Sequence, residues 1–220
     1  MGKDDSAQAR GASGGRGTDP APVRAADRAD IPRAARALGL AFADDPVFAW
    51  LFPDSAIRPE KARRFFCMQL AFDARGLRGV DVAEHEGVVR AAALWVPPGM
   101  KNNGPWHALR VLPHVVELFG TRFPVIARGM GPMERAAPKE PHWYLADIGT
   151  DPKERGTGLG GALLRHGLRR ADSDAMPCYL EASRPENIPL YEHFGFAVVN
   201  ETTFPEGPTI HGMRREPAAG

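Results

Sequence analysis

DIGTDPKERGTGLGGALLRHGLRR, Asp147–Arg170, is the stretch on which the reading of this chain turns. The apolar run that leads into it, His142–Ile148 (HWYLADI), predicts a buried strand ending at Gly149. Pro152 stops that strand, a charged turn Thr150–Arg155 follows, and the glycine-rich run Gly156–Gly161 opens a helix. Leu159, Leu163, Leu164 and Leu168 recur at helical spacing and leave Arg165, His166, Arg169 and Arg170 on the other face. A strand, a glycine loop and a helix N-terminus in succession make an anion site. Backbone N–H groups are unpaired there, glycine lets a ligand approach the backbone, and the helix dipole favours phosphate. The predicted guest is a pyrophosphate-bearing cofactor.

Outward from that stretch, 220 residues suggest one domain with a tail, long enough to bury a sizeable core. A hydrophobic fraction of 43% and a charged fraction of 25% are those of a soluble globular chain. A net charge of +1 lacks the clustered basic footprint of a nucleic-acid binder. Cys67 and Cys178 are far apart in apolar surroundings and read as reduced, buried thiols. No apolar run approaches the ~20 residues that cross a bilayer, and the N-terminus lacks the apolar segment of a secretory signal. The expectation is a cytoplasmic protein with no nucleic-acid or membrane partner, monomeric or homodimeric. No histidine or cysteine spacing suggests a metal.

Residues 1–22 are rich in Gly, Ala, Ser and charge and predict a disordered tail; the domain is expected over residues 23–216. A short strand is predicted at Val23–Ala26, then a helix capped by Asp27 or Asp30, with Pro32 in its first turn. Ile31, Ala34, Ala35, Leu38 and Phe42 form its apolar face, and Asp44-Asp45-Pro46 breaks it before the apolar segment Val47–Phe52. A longer helix over residues 58–75 buries Ala62, Phe65, Phe66, Gln69, Leu70 and Phe72. Gly79–Glu84 and Val88–Val96 predict a hairpin turning at His85-Glu86-Gly87. Two helices follow, Trp106–Phe119 and Pro124–Arg135, the first with Trp106, Leu109, Leu112, Val116 and Phe119 on one face. Beyond the opening stretch come a strand at Pro177–Ala182, a short helix Asn187–Phe194 closed by Gly195, and strands Phe196–Val199 and Thr209–Arg214.

Gly156-x-Gly158-x-x-Gly161 matches a dinucleotide fingerprint, with Glu181 at the offset of a ribose-binding acid. Two features oppose that reading. Thr150–Arg155 separates the strand from the first glycine, and too few strand–helix units remain after Ala182. A Walker A loop fails because no Gly-Lys-Ser/Thr ends the glycine run. The same stretch reads as Arg155-x-x-Gly158-x-Gly160, and a second block, NIPLYEHFGF from Asn187 to Phe196, places Asn187 and Tyr191 at i and i+4, on one helix face.

With both blocks in order and at that separation, the chain resembles the GNAT N-acetyltransferases over Val23 to about Arg214. Within them it looks like the puromycin N-acetyltransferase branch, through RAADRADIPRAARALGLAFADDP (Arg24–Pro46), Tyr179–Ser183 and Phe204–Pro208. The resemblance implies an α/β (α+β) fold: a mixed, mostly antiparallel sheet with helices on both faces and a helical insert before the central strand. It implies acetyl-CoA as cofactor, and transfer of acetyl to a primary amine of a small, antibiotic-like molecule by direct attack in a ternary complex. It further implies that Arg155, Gly156, Thr157, Gly158, Leu159, Gly160 and Gly161 take the pyrophosphate. Ile148, Gly149 and Thr150 bond the pantetheine arm, Asn187 contacts the cofactor or caps its helix, and Tyr191 acts as acid to the departing sulfur. For the base the alternatives are His142, Glu181 and Asp147, or ordered water. His193 and the four tryptophans, Trp50, Trp95, Trp106 and Trp143, read as surface and core respectively, with Trp106 a candidate for lining a pocket roofed by residues 105–136. A non-catalytic acyl-CoA-binding domain and a protein N-terminal or lysine acetyltransferase are the competing functions.

Overall fold

Alternation along strands and 3.6-residue periodicity along helices resolve into one sheet with helices on both faces. The structure is a computed structural model describing residues 22–72, 79–100 and 105–218. In these residues the strands are β1 (Val23–Ala25), β2 (Val80–His85), β3 (Val88–Val96), β4 (Trp143–Thr150), β5 (Cys178–Ala182), β6 (Ala197–Thr203) and β7 (Thr209–Arg215). The helices are α1 (Ile31–Ala41), α2 (Pro46–Leu51), α3 (Arg58–Phe72), α4 (Pro105–Phe119), α5 (Phe123–Ala136), α6 (Leu159–Ser173) and α7 (Ile188–His193). The expected tail, residues 1–22, lies outside the described residues except for Pro22, as do residues 73–75 of the expected longer helix.

The sheet runs β1-β2-β3-β4-β5-β7-β6. Every pairing is antiparallel except β4 with β5. This is the mixed, mostly antiparallel sheet the sequence led us to expect. The β2–β3 hairpin closes through Glu86 and Gly87, both at positive φ, the signature of a two-residue turn that matches strand twist. One face of the sheet is covered by α1, α2, α3 and α5, packed through Leu38, Phe48, Phe66, Leu70 and Ile126. The other is covered by α6 and α7, through Leu159, Leu163, Leu164, Leu168 and Tyr191. Gly149 lets α1 approach β4: a Cβ there would lie 2.7 Å from that of Ala41.

Several local expectations need correction. Asp30 occupies the N-cap of α1 but makes no capping bond. Its carboxylate instead takes both Arg24 guanidinium nitrogens, at 2.5 and 2.9 Å, and the Asp27 N–H. Asp27, the other expected cap, accepts from the Ala29 and Asp30 N–H groups ahead of α1; a side-chain cap forms on the next helix, where Asp45 accepts from the Val47 and Phe48 N–H groups and starts α2 at Pro46. On α4, Leu112 and Val116 are 46% and 54% exposed, and Leu118 is the buried residue. Pro113 lies inside that helix, and the inward stripe runs through Leu118 and Phe119 against Phe52. The side chains of Phe72, Trp106 and Leu109 lie outside the described residues. Arg170, expected on the helix face away from the leucines, is held by a partner distant in sequence. It donates twice to Asp81, a fully buried carboxylate on β2, with His166 3.7 Å from the same group. Trp50, Trp95 and Trp143 are buried, and His193 ends α7 in an exposed position.

Candidate active site

β4 and β5 run side by side for three residue pairs, Trp143↔Cys178, Tyr144↔Tyr179 and Leu145↔Leu180, and then separate. β4 continues to Thr150 with only β3 beside it. One residue decides what it presents to the gap. Leu94 opposes Asp147 while Trp95 opposes Leu145, so Ala146 is a bulge that resets the alternation. Upstream, the Trp143 N–H points to β5, bonded to the Pro177 carbonyl. Downstream, the Asp151 N–H is bonded to the Arg90 carbonyl on β3. Counting back by twos, the N–H and C=O groups of Ile148 and Thr150 point into the gap. The bulge also turns Asp147 and Gly149 to the α1 face and Ile148 to the α6 face, where Ile148 joins the second core.

At the end of β4, Asp151 caps a tight turn, accepting from the Lys153 N–H, and Arg155 follows in extended conformation. Gly158 then holds φ 86° as the N-cap of α6. Only glycine adopts that backbone without strain, and it brings no side chain to cap the helix. The first intrahelical donor is the Ala162 N–H onto Gly158 O, so the N–H groups of Leu159, Gly160 and Gly161 emerge bare at the positive end of a 15-residue helix. A Cβ at Gly156 or Gly158 would meet nothing within 4 Å, so a ligand can reach this backbone. Arg155 is exposed beside it. The donor set fits a pyrophosphate.

A cavity of about 400 Å³ fills the gap between the strands. Of the predicted positions, it is lined by Asp147, Ile148, Gly149, Thr150, Arg155, Gly160, Glu181, Asn187 and Tyr191. Gly156, Thr157, Gly158, Leu159 and Gly161 form the loop and first helical turn beyond the lining. The Thr157 hydroxyl closes that turn on the Glu154 carbonyl. Asn187 stands at the N-cap of α7 yet makes no capping bond, because a 3-10 turn at Pro185–Asn187 runs straight into the helix. Its amide is therefore available to the cavity. Tyr191 is 8% exposed, with its ring edge-on to Phe196 at 6.2 Å. Burial, with the Asp45 charge adding to it, pushes its phenol up to about 12.

Glu181 sits where β5 leaves β4. Cys178, Leu180 and Ala182 face α6, so Tyr179 and Glu181 face α1, beside Tyr144. Burial raises the Glu181 carboxyl to about 7, although hydrogen bonds from the Tyr144 and Tyr179 hydroxyls oppose the rise. Tyr144 itself is driven well above the ordinary phenol range, chiefly by its burial and then by the Glu181 charge. Tyr179 is held from its other side by the Asn200 amide at 3.4 Å. A carboxyl titrating near neutrality beside a buried tyrosine is equipped to accept a proton. His142 does not line the cavity. Its Nδ1 lies 2.7 Å from the Glu140 carbonyl and its ring packs edge-on to Tyr179, so it touches Glu181's partner rather than the gap.

Asp45 and Ser183 are wall residues that the sequence reading did not single out, and Tyr144 is a partner of Glu181 that it also missed. Asp45 is 4% exposed, hydrogen-bonded by Ser183 and 3.8 Å from Arg184, and burial raises its carboxyl. Its signal was present in Asp45-Pro46, an N-cap followed by an N1 proline. None of the described side chains of residues 112–136 lines the cavity, so the expected roof is not formed by them. α5 instead presses Gly129 onto the Trp50 indole.

Residues 45–196 match the model of the acetyltransferase (GNAT) family. An uncharacterised N-acetyltransferase of Schizosaccharomyces pombe (strain 972 / ATCC 24843) is 28% identical over 181 residues, covering 76% of this chain and 70% of that protein. The crystal structure of histone acetyltransferase HPA2 and related acetyltransferase from Corynebacterium glutamicum ATCC 13032 superimposes with a TM-score of 0.71 at 30% identity, covering 92% of this chain and 99% of that one. Drosophila melanogaster polyamine N-acetyltransferase, which forms N-acetylagmatine, shares the fold, with a TM-score of 0.61 at 18% identity over 89% of this chain and 99% of its own. The family match spans the separating strands, the glycine loop and Tyr191 together, and by it this chain belongs to the acetyltransferase (GNAT) family.

Proposed function

We propose that this protein binds acetyl-CoA and acetylates a primary amine of a small, antibiotic-like molecule in the cytoplasm, by direct attack in a ternary complex. Acetyl-CoA supplies an acetyl group activated as a thioester. Arg155 and the bare N–H groups of Leu159–Gly161 hold the pyrophosphate. The gap-facing backbone of Ile148 and Thr150 orients the arm, and the Asn187 amide closes the far wall. Glu181 takes the proton of the incoming ammonium, and Tyr191, protonated at any working pH, gives one to the departing sulfur. His142 serves only by buttressing Tyr179. The observation that carries this reading is the convergence of the cradle, Tyr191 and Glu181 on one cavity.

A second reading, acetylation of a lysine or N-terminal amine of a protein, is favoured by the acidic lining at Asp45, Asp147, Glu181 and Glu186. The deciding experiment is calorimetric titration with acetyl-CoA, followed by initial rates, read as released CoA, on a panel of small amines and basic peptides. Micromolar binding with turnover confined to small amines supports the first reading. Turnover confined to peptides supports the second, and absence of acetyl-CoA binding sinks both.

A further inference from the structure

Glu181 is also served from behind the cavity wall. In the strand order β5-β7-β6, Gly212 of β7 stands opposite Glu181 on one side and Asn200 on the other, so the three share a row and a face of the sheet. Asn200 reaches that row through a bulge. Val198 pairs with Met213 and Asn200 with Gly212, which leaves Val199 as the extra residue, 52% exposed. Gly212 brings no side chain to the row, and the space is filled from both sides. A Cβ there would lie 2.3 Å from Asn200 Oδ1 and 2.4 Å from Tyr179 Oη. The glycine is a window through which the Asn200 amide meets the Tyr179 hydroxyl.

The bonds at this window have a direction. Asn200 Nδ2 lies 3.1 Å from the Ala136 carbonyl at the end of α5 and 3.4 Å from the Tyr179 hydroxyl. A carbonyl only accepts, so the amide nitrogen is on this side and its second N–H is directed at the phenol oxygen. The phenol has one proton. With its oxygen accepting from Asn200, that proton is turned to Glu181, with which Tyr179 also hydrogen-bonds. Tyr144 of β4 donates to the same carboxyl, and Asp147 lies near Tyr144. Asp45, Arg184, Glu186 and Tyr191 line the cavity that Glu181 faces, and His142 packs on Tyr179. The side-chain bonds of Asn200 go to Ala136 and Tyr179, so Tyr179 is its route to Glu181.

Building on the acetyl-transfer reading with Glu181 as base, we propose that Asn200 is a positioning residue for the transfer: entering through the Gly212 window, it fixes the Tyr179 proton on Glu181 and so supports the carboxylate that accepts from the amine. Burial drives Glu181 toward its neutral form, and the phenol proton opposes that drive. A phenol free to rotate gives this support up, and the carboxyl then keeps its own proton to higher pH.

The test follows two readouts in the full chain. One is kcat/KM for a primary amine at saturating acetyl-CoA from pH 5.5 to 9; the other is the pH midpoint of the carboxylic-acid infrared band that Glu181→Gln removes. Asn200→Leu should move the acid limb and the midpoint upward together by about one pH unit, the worth of a single hydrogen bond to a carboxylate, while the acetyl-CoA Kd stays within threefold. Tyr179→Phe should move them at least as far, and the double variant no further than Tyr179→Phe alone. Should Asn200→Leu fail to fold, Asn200→Asp keeps the shape, offers the phenol proton a competing acceptor, and should move both readouts in the same direction. A limb and midpoint that stay in place, or shifts that add in the double variant, overturn the inference and leave Glu181 as base. A lower rate with an unmoved profile marks a structural role and overturns it as well. A midpoint that moves in a protein whose rate has no acid limb overturns the reading of Glu181 as base, and the positioning role with it.

Discussion

Glutamine at position 181 keeps the size of the side chain and one acceptor oxygen but removes the charge, which separates the two consequences of burying a carboxyl there. Burial moves Glu181 from 4.5 to about 7 in the folded state. Between those values the folded protein holds a proton that the unfolded chain has released, so stability falls as pH rises through the window. The gap amounts to about 3 kcal/mol at about 1.4 kcal/mol per pH unit. Glu181→Gln should therefore melt higher than wild type at pH 8, by about 6 to 12 °C at the 2–4 °C per kcal/mol typical of a domain this size. At pH 4, where both states are protonated, the two proteins should melt together.

Activity should move the other way. If Glu181 accepts the ammonium proton, kcat/KM falls about tenfold for each pH unit below 7. At pH 8 the glutamine variant loses roughly 10²- to 10⁴-fold. The acid limb of its profile disappears with the carboxyl. The assays are thermal melts at pH 4 and pH 8, with kcat/KM for a primary amine at saturating acetyl-CoA from pH 5.5 to 9. A variant that keeps the acid limb, or that melts no higher at pH 8, would refute the reasoning. A stabilised but inactive variant is the expected trade at a site built on a strained charge.

Three further substitutions probe other parts of the site and its frame. Tyr191→Phe should lower kcat at least tenfold while the acetyl-CoA Kd, read by calorimetry, stays within threefold; equal loss in both would mean that the ring only packs against Phe196. Gly158→Ala places a Cβ where φ is 86° and the loop is open, so chemical denaturation should show a loss of only about 1–2 kcal/mol while acetyl-CoA affinity falls at least tenfold. Arg170→Met leaves the fully buried Asp81 without its two charge-assisted bonds, and chemical denaturation should show a loss of about 3–5 kcal/mol.

Much of this was legible in the sequence because it was local. The helix at Leu159 announced itself by leucine spacing, and the glycine loop by residues whose backbone freedom no other side chain offers. Asn187 and Tyr191 were paired by helical spacing alone, and they reach the same cavity. What was not legible depended on partners distant in sequence. Arg170 could be read only as a charge on the helix face away from the leucines, because its partner, Asp81, lies 89 positions away on β2. Leu112 and Val116 read as an inner stripe because spacing identifies a face without saying what covers it. Asp30 read as a cap, yet Arg24 reaches it across the turn and outcompetes the backbone donors, as a bidentate guanidinium does.

The deepest of these gaps is one residue wide. Without the bulge at Ala146, strict alternation would put Asp147 on the α6 face with Trp143 and Leu145, and would turn the N–H groups of Ile148 and Thr150 toward β3. The cradle and Tyr191 would be unchanged, but the backbone donors would point away from the gap and Asp147 would be buried among leucines. A bulge has no residue signature in WYLADIGT, since alanine is compatible with either register. It is imposed from both sides, by β3 holding the far end of the strand and β5 the near end. Pairing with β5 stops at Leu145, immediately before the extra residue, so the separation of the strands and the reversal of their faces occur at one place. That coincidence is what lets one cavity meet an anion cradle on one side of the sheet and carboxylates on the other.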